Sequence, residues 1–270
     1  MTKKLRLLSW NINSLRLRLP QLALITAEEE PDVICLQETK VQDADFPSEA
    51  LNAMGYTHQL FKGMKSYNGV AILARHPLRR LGHYPLWCGR DDCRHLAASL
   101  TLGGQALTVH NFYVPAGGDE PDEGANDKFA HKMAFLREAQ AWFAANPERG
   151  ALLVGDLNVA PGPDDVWSHR QLLKVVSHTP AETEALEAWC ATTFSDAMRH
   201  HHPAPARLYT WWSYRNRNRL ASDRGRRLDH GWATPDLLER VVGARVLESV
   251  RDWERPSDHV PLLLDLAWPG

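Results

Sequence analysis

Long apolar runs are missing from this 270-residue chain, and the first one is interrupted almost at once by Arg6 and Asn11. It is too short for a signal peptide or a membrane span, so no membrane association is expected. Cysteine is scarce. Cys35, Cys88, Cys93 and Cys190 form no Cys-x-x-Cys pair and no His/Cys cluster with zinc spacing. Cys35 lies in the apolar run Val33–Leu36 and reads as a buried free thiol. That usage suits a reducing compartment, and the chain reads as soluble and cytoplasmic. No internal repeat and no long low-complexity linker is visible. The longest loop-like stretch, Ala116–Ala125, reads as an excursion within one domain, so a single domain over 1–270 is expected. A basic excess is also lacking, since the net charge is −2. A nucleic-acid partner is not excluded by this, because local charge distribution matters more than the sum.

What is present is an ordinary globular composition, 44% hydrophobic and 24% charged. The length suffices for one large core or two small ones. Strand and helix signals alternate. Strands are expected at Leu5–Ile12, Asp32–Gln37, Gly69–Ala74, Ala151–Val154, Leu228–Ala233, Ala244–Leu247 and Pro261–Leu266. Leu96–Leu102 and Ala106–Val114 read as a hairpin around Gly103-Gly104. Helices are expected at Leu19–Glu29, Asn126–Ala145 and Glu182–Trp189, the second because Phe129, Met133, Leu136, Ala139 and Phe143 fall near one face. A doubly wound parallel sheet would need more regular crossovers. Two packed sheets with helices outside fit better, and burial on both faces accounts for all-apolar strands such as Leu152–Val154 and Leu262–Leu264.

Several of these strands run into polar clusters: Trp10-Asn11-Ile12-Asn13, Gln37-Glu38-Thr39-Lys40, Asn111-Phe112-Tyr113, Gly155-Asp156-Leu157-Asn158, Arg227-Leu228-Asp229-His230 and Pro256-Ser257-Asp258-His259. Strand ends meeting at one edge of a sandwich would gather them. Hard cations such as Mg²⁺ take carboxylate and amide oxygens. Glu38 is the natural primary ligand, with Asn11 and Asp258 beside it and Asp156 and Asn158 as further oxygen donors. Attack on a phosphodiester needs its charge neutralised and a water oriented. Asp156 could activate the water, and Asn158 could position it or the phosphate. His259 could polarise the phosphate with its tautomer fixed by Asp229, and Tyr113 could donate to a phosphate oxygen. Singly, each is ordinary: a solvated Glu, turn-forming Asn11 and Asn13, a capping Asp156, a cross-strand Tyr113. Six such clusters at successive strand ends are hard to explain as loops.

The clusters carry a family resemblance. In Ser9–Arg16, Pro31–Lys40, Tyr67–Ile72, Gly155–Pro161, Tyr209–Arg215, Arg227–Asp229 and Pro256–His259 the chain resembles the exonuclease III family of abasic-site endonucleases and 3′-exonucleases, in the endonuclease/exonuclease/phosphatase superfamily. The resemblance implies a four-layer α/β sandwich with one metal-dependent site. Glu38 would be the principal metal ligand, near Asn11 and Asp258. Tyr113 would contact the scissile phosphate or assist the leaving group. Asp156 would orient the water, Asn158 would help position the phosphate, Asp229 and His259 would form a pair, and Lys40 would stand behind them. It further implies a pocket for a flipped-out abasic sugar, with an aromatic at Trp211 and an aliphatic at Leu228. There the chain departs from the family, because Arg226 stands where an apolar residue is common. Ser14 in place of a frequent Gly is a milder departure.

A segment crowded with Arg207, Arg215, Arg217, Arg219, Arg224, Arg226 and Arg227 also holds Tyr209, Trp211, Trp212 and Tyr214. Arginine binds phosphate bidentately, and aromatics stack on bases or wedge into a duplex. The bland alternative is a solvated basic loop whose Trp side chains fill the core. Lys65, Tyr67 and Asn68 in a glycine-flanked stretch, and Arg90 and Arg94, are further DNA-contact candidates. His200-His201-His202 reads as a feature of a helix C-terminus rather than a metal tract. The expectation is a nuclease, a monomer using Mg²⁺, with Mn²⁺ as the alternative, on double-stranded DNA with abasic sites, nicks or 3′ ends. Two other readings stay open: the same site in a lipid or inositol-phosphate hydrolase, and a non-catalytic nucleic-acid binder.

Overall fold

The computed structural model describes residues 2–215 and 222–269, so Arg217 and Arg219 lie outside the described residues. One six-stranded sheet contains β1 (Thr2–Asn11), β2 (Val33–Gln37), β3 (His58–Met64), β4 (Tyr67–Ala74), β11 (Val241–Val246) and β12 (Leu262–Pro269), in the order β11-β12-β1-β2-β4-β3. The other contains β5 (Leu78–Leu81), β6 (His95–Leu102), β7 (Gln105–Tyr113), β8 (Ala151–Asp156), β9 (Ser195–Asp196) and β10 (Asp229–Ala233), in the order β5-β6-β7-β8-β10-β9. Each sheet has a single parallel pair at its centre, β1–β2 in one and β7–β8 in the other, with antiparallel neighbours on both sides. The two sheets are thus built to one plan.

Side chains alternate across a strand, so a strand covered on both faces must be apolar at every position. Leu7, Cys35, Leu152 and Val154 point into the core between the sheets. Leu8, Ile34 and Leu36 point outward under α1 (Leu15–Glu29) and α2 (Ser48–Ala53), against Leu22, Ile25 and Leu51. Leu153 points outward on the other side, under α3 (Asp127–Ala145) and α4 (Pro180–Thr193), against Phe143 and Trp189. The result is helix, sheet, sheet, helix. Each fully buried Leu contributes roughly 1.5–3 kcal/mol. Burial also pushes the Cys35 thiol up, so it is an inert packing residue, as its apolar run implied.

Departures from the expected boundaries have local causes. α1 begins at Leu15, a turn before the expected start, because a kink at Arg18 (φ −110°, ψ 16°) accommodates Pro20. α4 begins at Pro180, capped by Thr179, whose side chain and backbone exchange hydrogen bonds with Glu182. β3 was not expected because it is an edge strand half-buried at every position, with no alternation to read. His201 and His202 close a short helix, α5 (Ala197–His201), and hydrogen-bond the Val241 and Ala244 carbonyls of the edge strand β11. Among the described residues no helix is long and apolar enough to cross a membrane.

Candidate active site

The common plan of the two sheets places the chemistry. In each parallel pair both strands end on the same side. Asn11 is the last residue of β1, opposite Gln37, with Glu38 following. Tyr113 is the last residue of β7, opposite Asp156 at the end of β8. Asp229 opens the antiparallel neighbour β10 directly across from Asp156, and Asp258-His259 stands just before β12. Gly155 makes this register possible. Its φ of 140° suits only glycine, and a Cβ there would lie 1.9 Å from the Phe112 carbonyl oxygen. Glu38 (φ 50°) and Asn158 (φ 55°) are held in the left-handed region, which turns them out of their strands toward the junction.

Asp156 lies at the centre. Its Oδ2 accepts from Asn11 Nδ2 at 2.8 Å and from Asn158 Nδ2 at 3.1 Å, and its Oδ1 accepts from the Asn158 backbone N–H at 3.0 Å. Asn11 Nδ2 also donates to Glu38 Oε1 at 3.0 Å, and Tyr113 OH donates to the same oxygen at 2.9 Å. Lys40 Nζ sits 2.8 Å from Glu38 Oε2 and 2.6 Å from Asn13 Oδ1. Asn13 Nδ2 and Trp211 Nε1 each hold one oxygen of Asp258, at 2.8 and 3.0 Å. His259 Nδ1 is 2.8 Å from Asp229 Oδ2, and its Nε2 faces Asp156 Oδ2 at 3.7 Å. Sequence reasoning missed Lys132, a buried lysine of α3 whose Nζ donates to the Asn158 carbonyl at 2.7 Å and to Glu182 Oε1 at 2.5 Å. The available signal was a lysine inside the apolar stripe, three residues after Phe129.

Burial and neighbouring charge set the protonation states. Burial raises the Asp156 carboxyl, with Asp229 adding to it and His259 opposing. Burial works against a charged His259, but Asp229 and Asp156 outweigh it and hold the imidazolium. For Glu38, burial is outweighed by Lys40 and Asn11, so it stays ionised. Burial, followed by Glu38, pushes Tyr113 well up, keeping it a phenol donor.

Whether a cation fits can be judged from the donors. Glu38, Asp156, Asp229 and Asp258 bring four carboxylates, against which stand the two cations Lys40 and His259. Asp156 and Asp229 offer carboxylate oxygens within 4.8 Å of each other, and among the described residues Asp229 Oδ1 is buried without a partner; His259, as an imidazolium, is a neighbouring charge and not a ligand. Two uncompensated negative charges among oxygen donors are the surroundings a hard divalent ion takes.

The site floors a cavity of about 770 Å³ whose walls include Trp167, Trp211, Arg224, Arg226 and Leu228. The expected contact residues separate here. Trp211, Arg215, Arg226 and Leu228 line the cavity. Lys65 on the β3–β4 turn and Tyr67 at the start of β4 are exposed, whereas Asn68 is buried and donates to the Asp92 carbonyl at 2.7 Å. Arg94 is buried too. It pairs with Asp92 at 2.6 Å and lies 4.8 Å from the Tyr113 ring centroid, so it braces Tyr113 from behind. Arg227 is locked between Asp165 and Asp196, and Tyr209 and Trp212 fill the core under α1. Core filling, as in the bland alternative, therefore holds for Tyr209 and Trp212, whereas Arg227 is neither solvated nor turned to the cavity but buried between its two carboxylates.

A carboxylate, amide and imidazole cluster at paired strand ends, in a cavity walled by arginine and tryptophan, defines the class of metal-assisted phosphoesterases. The chain belongs to the Endonuclease/Exonuclease/phosphatase family, whose profile matches residues 8–259, and it is of the exonuclease III type. It is 30% identical to "Exodeoxyribonuclease III" of Haemophilus influenzae over 96% of this chain and 98% of that protein. Among solved structures, the 3′ phosphatase NExo from Neisseria, bound to product DNA hairpin, superposes with a TM-score of 0.88 at 29% identity, covering 98% of this chain and all of that one. An AP endonuclease from Archaeoglobus fulgidus gives a TM-score of 0.88 at 32% identity over 96% of this chain and 98% of that chain. Enzymes of this type are metal-dependent.

Proposed function

We propose that this protein is a divalent-metal-dependent DNA repair nuclease that hydrolyses the phosphodiester 5′ to abasic sites and removes nucleotides and blocking groups from 3′ ends of double-stranded DNA. The observation that carries this reading is the buried Asp156, bonded to Asn11 and Asn158 and facing the Asp229–His259 pair, on the floor of a cavity walled by arginine and tryptophan. The relatives' printed activities on DNA support it.

Glu38, Asn11 and Asp258 would hold the ion, with Asp156 and Asn158 as adjoining oxygen donors. A bound Mg²⁺, or Mn²⁺, supplies Lewis-acid neutralisation of phosphate charge. Asp156 is the acceptor for a proton of the attacking water, because burial makes its carboxylate more basic than an ordinary one. Asn158, fixed by Asp156 and by the Val114 carbonyl at 2.9 Å, orients that water or a phosphate oxygen. His259, held as an imidazolium by Asp229, places a positive charge on the phosphate. Tyr113 keeps its proton and donates it in a hydrogen bond to a phosphate or leaving oxygen. DNA would lie along the turn at Lys65 and Tyr67 and enter the Trp211 cavity at nicks, ends and abasic sites. The protein would act as a monomer in the cytoplasm, as one domain.

The test is the purified protein on a duplex with one abasic site, with Mg²⁺, with Mn²⁺ and with EDTA. Cutting that EDTA abolishes and either metal restores is expected. Undiminished cutting in EDTA contradicts the metal role, and no cutting of any DNA in Mg²⁺ or Mn²⁺ sinks the nuclease reading.

A further inference from the structure

Two neighbouring arginines are treated in opposite ways. Arg227 is matched by Asp165 at 2.7 Å and Asp196 at 2.6 Å. Arg226 is half-buried in the wall of the reaction cavity, and among the described residues no carboxylate pairs with it. Its Nη1 donates to the Val176 carbonyl at 3.0 Å and Ser177 Oγ at 2.7 Å, and its guanidinium lies 5.4 Å from the Trp211 ring centroid. Its Nε is buried and, among the described residues, without a partner. Glu182, the acid whose field reaches it, is committed to Lys132. Two neutral oxygens and an indole face do not compensate a cation withdrawn from water. They aim it through Nη1, and among the described residues they leave Nη2, which is not one of the buried atoms, as the part of a rigid donor fork free to meet a substrate in the cavity.

The direction of aim is set by Trp211. Its indole N–H holds Asp258, and its backbone bridges to His259, so Arg226 stands one aromatic ring from the reaction centre. Arg224, over the Trp167 ring at 4.7 Å, lines the same cavity. A flipped-out abasic sugar carries no charge and offers this fork nothing ionic.

We propose that Arg226 is a specificity-determining residue that reads a second negative charge, carried on or just beyond the scissile phosphate. It would thereby favour 3′ ends blocked by an anion over an internal, uncharged abasic sugar. Two ends supply that charge: a 3′-phosphate, through its second ionised oxygen, and a 3′-phosphoglycolate, through its carboxylate. In either case water bonds to phosphorus, the bond from phosphorus to the 3′ oxygen breaks, and that oxygen takes up a proton. The products are a 3′-hydroxyl and phosphate or phosphoglycolate.

This inference rests on the nuclease reading, and its test separates the two. The full chain in Mg²⁺ is assayed on matched duplexes bearing a 3′-phosphate at a nick, a 3′-phosphoglycolate at a nick, or an internal tetrahydrofuran abasic analogue. The readout is the ratio of kcat/KM for each anionic end to that for the analogue. In Arg226→Leu and Arg226→Gln the ratio is expected to fall about ten-fold or more, as loss of a charge-assisted hydrogen bond implies. Arg226→Lys is expected to keep a larger share. A fall confined to one anionic end still supports the proposal and identifies the source of the charge. A ratio constant within about two-fold overturns it, whatever happens to the absolute rates. If Arg226→Leu fails to fold, the Gln variant carries the test. Wild-type protein that cuts none of the three overturns the nuclease reading and this inference together.

Discussion

The reaction centre and the wall of its cavity lie side by side and are built in different ways. At the centre each charged group is tied to a close partner, with a negative excess left over for a cation: Glu38 meets Lys40, Asn11 and Tyr113, and His259 meets Asp229. Those groups stand at strand ends, where ladder register fixes them to their neighbours. The wall is made of loop residues, and one of its cations, Arg226, is aimed but has no carboxylate partner among the described residues. Chemistry common to many phosphodiesters calls for a rigid centre. Choice among substrates can reside in a few loop side chains that vary without disturbing the sheets.

This contrast can be broken or sharpened, starting at the centre. Asp156→Asn should lower kcat on every DNA substrate by about 10⁴-fold with little change in KM, since a proton acceptor acts in the transition state. Steady-state kinetics on an abasic duplex and a 3′ end check this, and a loss on one substrate alone would erase the distinction between centre and wall.

Next comes the support beneath the centre. Lys132→Met leaves Glu182 buried with its charge unpaired, and the expected cost is about 3–5 kcal/mol of unfolding free energy. Denaturant titration measures it. Lys132→Met combined with Glu182→Gln should recover part of the loss, and no recovery would mean that the lysine acts through Asn158 alone.

The smallest effect concerns the far side of β10. Burial, helped by Arg227 and opposed by Asp196, pushes His230 down to about 4. An unfolded chain takes up a proton on this imidazole once pH falls below about 6.5. The folded chain does so only near 4, so its stability falls as pH drops through that window, by on the order of 3 kcal/mol. Unfolding titrations at pH 7 and pH 4.5 should differ less in His230→Gln than in wild type. An unchanged difference would show that His230 does not contribute to acid sensitivity.

Much of the centre was legible because its signals are local. Leu152–Val154 is apolar at every position and ends in Gly-Asp-Leu-Asn, so a doubly covered strand delivering an acid could be read directly, and Gly155 is where a close parallel pairing demands it. Lys132 was missed because a lysine in an apolar stripe reads as a surface intruder until Glu182, fifty residues away, is folded against it. Arg94 read as a DNA contact, yet Asp92 and the Tyr113 ring claim it. Trp211 and Trp212 are adjacent and chemically alike. One faces the cavity and the other the core.

The sequence by itself determined the strand ends, the acids, amides and imidazole placed there, and therefore the class of chemistry, because hydrophobic period and strand register act over a few residues. Only the tertiary structure decided which charges are neutralised. Arg226 and Arg227 are neighbours in sequence, and nothing local separates them. Two distant carboxylates close around Arg227, and among the described residues none closes around Arg226.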